Sequence, residues 1–295
     1  MTALLLGALG LTLSLVVPGP LAGARWPDRA PAAAVVLWQA ITLTGVLCAL
    51  GVVLAAPEEV VRAVGAGWPV ATAALIGALV VAAVIVVRLL VSLVAVVHRS
   101  RGRRARHRTL VDLLDRAERR PAYAVEGLRV LDGALPMAYC VPGRKPRVVL
   151  SGGALEVLDD AQIAAVVAHE QAHLRHRHEI VMESFTAFYR AVPPPLRSRV
   201  PLDAVHLLLE MVADDAASRR TGAAAVRAAL ARLGDEGGEA AGDDRRRRLD
   251  RLAAPRARSL ALTVVVAVAA ALLLVLPTVI LVVPWLDRAV ANWPL

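Results

Sequence analysis

The chain has 295 residues, 57% of them hydrophobic but only 3% aromatic, and a formal charge of +9 at neutral pH. Its length would allow one or two soluble domains, but the apolar excess sits in long Ala/Val/Leu runs, the pattern of membrane spans, and this excludes an all-soluble fold. Lys145 is the only lysine and no aromatic-interleaved basic module accompanies the arginines, so direct nucleic-acid binding is excluded as the source of the charge.

The first apolar stretch, residues 3–21, is long enough for a tilted crossing. A secretory signal peptide is the competing reading, because Ala22-Gly23-Ala24 resembles a cleavage site. No basic residue precedes the run, which favours a retained helix. Residues 32–56 form a second span closed by Pro57, and residues 68–97 a third. A charge at the bilayer centre is costly, so the third span proper is expected to end near residue 87, with Arg88 at the interface. Residues 260–283 form a fourth, kinked at Pro277. Trp26, Trp38, Trp68, Trp285 and Trp293 all lie in or beside these stretches, as expected of interfacial anchors. Arginines cluster after the third span (Arg99 to Arg106) and before the fourth (Arg245 to Arg248, Arg251, Arg256, Arg258). By the positive-inside rule the region between them is cytoplasmic and both termini are outside, in a multi-pass protein of the cell membrane. On this reading topology accounts for the arginine runs without any partner.

The chain therefore reads as a mainly α membrane protein, with four transmembrane helices and an inserted α+β domain. Residues 1–97 carry three spans, 98–233 the cytoplasmic domain, 234–259 a flexible charged linker, and 260–295 the fourth span with a short tail. The domain opens with a helical pattern through Leu110, Leu113 and Leu114. Short strands follow at Leu128–Leu131, Ala138–Val141 and Arg147–Leu150. Asp159 or Asp160 is placed to cap the next helix, expected to end by Arg177-His178. Further helices are expected over Glu179–Val192 and about Leu202–Arg220. The linker around Gly234–Asp244 has little to bury, and self-cleavage is expected, if anywhere, within Gly234–Arg248. Cys48 and Cys140 imply no disulfide framework.

Within the domain lies His169-Glu170-Gln171-Ala172-His173. On a helix, residues four apart share a face, so both imidazoles can reach one metal ion, with Glu170 beside them as general base. A catalytic Zn2+ needs a third protein ligand. Glu210 is the candidate, on a second apolar helix, against the bland alternative that it faces solvent. Asp214, four residues on, shares its face and is placed to accept the free ring N–H of a ligand histidine. His176 and His178 are competing ligands. His206, Tyr189 and Arg219 remain open as donors to a developing oxyanion. Zinc in such a set lowers the pKa of water and polarises a carbonyl, and Glu170 moves the proton to the leaving amine. The strand Arg147–Leu150 is expected to pair with an extended peptide.

Three segments, Pro142 to Ser151, Ala165 to Arg175 and Glu210 to Asp214, resemble membrane gluzincins. With three spans before the zinc segment and one after, the chain looks most like the BlaR/MecR-type antirepressor peptidases. The resemblance implies a zincin-like domain in which His169, His173 and Glu210 bind zinc and Glu170 is the general base. It also implies signal-activated cleavage of a cytoplasmic protein substrate, a BlaI/MecI-type winged-helix repressor. The penicillin-binding sensor domain of those receptors has no counterpart after the last span here. The alternatives are an HtpX-like quality-control protease of membrane proteins, or a non-catalytic membrane receptor or scaffold. Expected partners are thus the bilayer and a protein substrate, without direct nucleic acid. Oligomeric state is left open.

Overall fold

Uncharged Ala/Val/Leu runs satisfy every backbone hydrogen bond within themselves only as helices, and helices fill most of the chain. The computed structural model describes residues 1–115, 127–194, 197–233, 239–253 and 259–291. The helices α1 (Thr2–Leu11), α2 (Pro18–Gly23), α3 (Pro31–Gly65) and α4 (Pro69–Leu113) come first, with a π turn at Thr12–Val16. Strands β1 (Leu128–Leu131), β2 (Ala138–Val141) and β3 (Arg147–Ser151) follow. Then come α5 (Gly152–Val157), α6 (Asp160–Arg175), α7 (His178–Ala191) and α8 (Val200–Thr221). The last are α9 (Ala223–Arg232), α10 (Glu239–Ala253) and α11 (Leu260–Ala291). Four stretches are long and apolar enough to cross a membrane: Thr2–Gly23, Pro31–Gly65, Pro69–Leu113 and Leu260–Pro284.

The chain divides into two compact units. One comprises Met1–Val94, Phe185–Val205 and Ser259–Leu295. In it α3 packs against α1 and α11, burying Leu6, Cys48, Val52 and Ala56 in one cluster and Leu37, Ile41, Val266 and Ala270 in another. Gly51 permits the α1–α3 approach, since a Cβ there would stand 2.6 Å from Leu6 Cδ1. Thr44 Oγ1 donates to the Leu273 carbonyl at 3.0 Å, tying α3 to α11.

Several expectations are corrected here. Pro57 does not close its helix: α3 runs on to Gly65, because packing against neighbours tolerates the missing N–H. Its end carries Glu59, which is buried and whose Oε1 accepts the Thr2 and Ala3 amides at 2.7 and 3.4 Å. A carboxylate there satisfies the orphan donors of α1. Trp38 is no interfacial anchor, being 1% exposed. Trp293 lies outside the described residues.

The second unit comprises Ala95–Ser184 and His206–Arg258. Its sheet has the order β1-β3-β2, with β1 parallel and β2 antiparallel to β3. Alternation along β3 sends Val148 and Leu150 towards Ile163, Val166 and Val167 of α6, and Val149 towards Val111 at the end of α4. Val111 is the buried residue of that segment, whereas Leu110, Leu113 and Leu114 are exposed. β3 is central, so the expectation that it pairs with substrate is wrong; β2 is the edge strand nearer α6.

The expected linker is corrected too. Glu239–Ala253 is helical, while residues 234–238 and 254–258 lie outside the described residues. Polar contacts hold α10 in place: Arg251 Nη2 lies 2.7 Å from Asp215, and Arg245 donates to the Leu230 and Ala231 carbonyls at the end of α9. Arginines committed in this way weaken the topology argument drawn from that run. A helical Glu239–Arg248 also lacks the extended backbone that a scissile segment needs.

Candidate metal centre

α6 starts with a reciprocal cap. Asp159 Oδ1 accepts the Gln162 amide at 2.9 Å, and the Gln162 side chain accepts the Asp159 amide. Small residues then set the approach of α6 to its neighbours. Ala172 meets Ala213 and Ala216, and Ala165 and Ala168 meet Ala217 and Val226. With no bulk between α6 and α8, the pair His169/His173 faces the pair Glu210/Asp214, each pair four residues apart on its helix.

The resulting geometry is compact. His169 Nε2 and His173 Nε2 stand 3.0 Å apart, and Glu210 Oε2 and Oε1 lie 3.3 Å from each respectively. Tetrahedral ligands at about 2.0–2.2 Å from zinc stand roughly 3.3 Å from one another, so the donor set and spacing fit one such ion. These three are the cluster with metal-ligand spacing among the described residues. The other ring nitrogens are engaged as well. His169 Nδ1 is 3.1 Å from Asp214 Oδ1, and His173 Nδ1 is 2.8 Å from His178 Nδ1. When His173 uses Nε2 as ligand, its Nδ1–H donates to His178, which accepts as the Nε2–H tautomer.

His178 is thus a support for His173 rather than a competing ligand. Its place depends on the turn: α6 ends at Arg175, and Arg177 takes a left-handed conformation (φ 51°) that folds His178 back onto His173. His176 stacks on His178 at 5.9 Å and lies outside the cluster. Among the open oxyanion candidates, His206 and Arg219 are exposed on α8, and Tyr189 packs under Arg197 in the first unit. None of the three touches the cluster through a described contact.

Two further participants were not expected. Arg248 of α10 binds Asp214 through two bonds of 2.8 Å and reaches Glu210 Oε2 at 3.0 Å. The only sequence signal was charge complementarity, Arg248/Arg251 against Asp214/Asp215. Cys140 is on the face of β2 shared with Ala138, which packs towards α6, and burial first, then the nearby Glu170 carboxylate, pushes its thiol up. Ala138 shares that face and lines a cleft with His169, Glu170, Glu210 and Arg248.

Burial and pairing divide the charges. Burial disfavours a charged His169, but hydrogen bonds to Asp214 and Glu210 outweigh it and raise the imidazole to about 10. Burial lowers His173 to about 4 and His178 to about 3. Burial would raise Glu210 and Asp214, yet His169 and Arg248 hold both carboxyls below the ordinary range. Burial raises Glu170, as suits a carboxylate that must take up a proton.

Comparison with known proteins agrees in kind. Residues 100–192 match the family profile described as Peptidase family M48. That segment contains His169, Glu170 and His173 but stops before Glu210, whose place beside them is a matter of geometry. Over 76 residues the chain is 34% identical to "Protease HtpX homolog" of Acidiphilium cryptum (strain JF-5), covering 25% of this chain and 26% of that protein. The chain thus spans about a quarter of the length of this curated relative. No solved structure matches.

Proposed function

We propose that the protein is an integral-membrane, zinc-dependent endopeptidase. The observation that carries this is the spacing of His169 Nε2, His173 Nε2 and the Glu210 carboxylate, with Glu170 adjacent. His169 and His173 would hold the ion through Nε2 and Glu210 through its carboxylate, while Asp214 and His178 fix the rings through Nδ1. A zinc ion there supplies Lewis acidity towards a peptide carbonyl and makes water nucleophilic near neutral pH. Glu170 accepts the proton of the attacking water and delivers it to the leaving amine. Arg248 keeps Asp214 and Glu210 ionised and oriented. The outer edge of β2 offers its backbone to an extended substrate segment, which Ala138 and Cys140 leave uncrowded.

For the substrate, the order of spans supports signal-activated cleavage of a cytoplasmic winged-helix repressor. The similarity to an HtpX homolog supports quality-control cleavage of membrane proteins. Purified protein, incubated with a co-expressed repressor from its own genome and separately with an unfolded membrane protein, distinguishes the two. For the activity itself, Glu170→Gln should abolish cleavage of casein, a loss of about 10²–10⁴-fold, with zinc content unchanged, and chelation should do the same to the wild type. Cleavage that survives both treatments would refute the hydrolase reading.

A further inference from the structure

Val226, Ala229, Leu230 and Leu233, along and just beyond α9, fall at the spacing of a single helical face. Val226 and Ala229 are buried in the contact with α6, whereas Leu230 and Leu233 remain half-buried. Together with Val166 of α6 and Ala138 of β2, they line the same cleft as His169, Glu170 and Glu210. The apolar wall is thus continuous with the candidate metal centre, and all of it belongs to the second unit. Two arginines pin the wall. Arg232 Nη1 donates to the Val157 carbonyl at 2.7 Å, and Arg245 Nη2 to the Leu230 and Ala231 carbonyls at 2.9 and 2.8 Å. A recess whose wall is already fixed needs little ordering to take a ligand.

Size and charge narrow what can enter. The cleft has a volume of about 190 Å³, below the roughly 300–1,000 Å³ of sites for drug-sized molecules, which suits a single side chain. Its charged lining is committed internally: Arg248 holds Asp214 through two bonds of 2.8 Å and reaches Glu210 at 3.0 Å. A charged side chain entering there would give up its hydration against leucine and alanine. An aliphatic one would instead bury apolar surface. In an extended peptide along the β2 edge, successive side chains alternate in direction. One beside the scissile bond therefore points towards α6, into the cleft that Glu170 and Leu230 both line.

We propose that the α9 stripe forms the specificity pocket of the peptidase, seating an aliphatic side chain that adjoins the scissile bond, with Leu230 setting the size admitted. The pocket rests on the peptidase reading above and deepens it by naming a substrate class, peptides with leucine, isoleucine, valine or methionine at that position. Such a side chain is favoured over alanine by roughly ten- to two-hundredfold in kcat/KM. The test uses full-length, zinc-loaded protein in detergent micelles and a peptide library of random sequence, with the cut sites identified by mass spectrometry. Wild type should cut beside aliphatic residues, on one fixed side of the bond. Leu230→Ala, which deepens the recess, should extend the preference to phenylalanine. Leu230→Phe, which fills it, should shift the preference to alanine and glycine, so that kcat/KM for matched leucine and alanine peptides converges. Wild-type cleavage with no preference at either flanking position, a preference there for charged or aromatic residues, or one that both variants leave unchanged overturns the pocket alone. No cleavage by wild type, or cleavage that Glu170→Gln leaves intact, overturns the peptidase reading and the pocket with it.

Discussion

At the scale of single residues, each candidate ligand imidazole has a second partner on Nδ1, and the two partners differ in kind. Asp214 is an anion and His178 a neutral acceptor; hydrogen bonds to Asp214 and Glu210 draw His169 towards its charged form against burial, whereas burial draws His173 away from it. In metal-free protein, His169 is therefore protonated at neutral pH and must lose that proton to bind an ion. Zinc affinity should rise by about tenfold per pH unit between pH 6.5 and 8.5, measurable by competition with a chromogenic chelator; a flat profile would contradict a charged His169. A histidine raised from 6.5 to about 10 stabilises fully below pH 6.5, and that contribution drains away as pH rises towards 10. Urea unfolding of chelator-treated protein should show falling stability from pH 6.5 to 8.5, and His169→Asn should flatten that limb. His178→Ala should weaken zinc binding by roughly 10–100-fold, and wild-type affinity in that variant would mean the 2.8 Å contact is idle. The ligands and Asp214 were legible as two pairs at helical spacing. His178 was not, because only the left-handed turn at Arg177 brings it back to His173.

At the scale of elements, α6 and α8 meet through alanines, and this contact brings two histidines and a distant carboxylate together. Ala213 is fully buried against Ala172 and Ala216. Ala213→Leu should cost about 1–3 kcal/mol by overpacking and also weaken zinc binding, although it touches no ligand. Ala224→Leu, at an exposed position of α9, is the control. A thermal melt with the same chelator competition checks it, and unchanged zinc affinity in Ala213→Leu would deny that the alanine contact sets the site. The three strands were readable from their alternation, within a residue at each end. Their order was not, since register and neighbours depend on which strand crosses over, so β3 was taken for an edge. α10 was misread for a different reason. Its composition offers little to bury beyond Leu252, and arginine pairs with Asp214, Asp215 and backbone carbonyls hold it instead, contacts without a periodic signature.

At the scale of the whole molecule, three stretches of membrane-crossing length precede the segment that carries the cluster and one follows it. The orientation proposed from arginine placement now leans on Arg101, Arg103 and Arg106, which are exposed at the end of α4. Arg245, Arg248 and Arg251 are committed within their own unit. The central claim concerns one ion and three side chains that the chain brings together from positions forty residues apart. X-ray absorption at the zinc edge of the purified full-length protein tests it most directly. The account predicts a shell of nitrogen and oxygen at about 2.0–2.2 Å with the outer scattering of two imidazoles, reduced by one light atom in Glu210→Ala. A sulfur shell near 2.3 Å, which would bring Cys140 into the site, or a spectrum unchanged by Glu210→Ala, would contradict it.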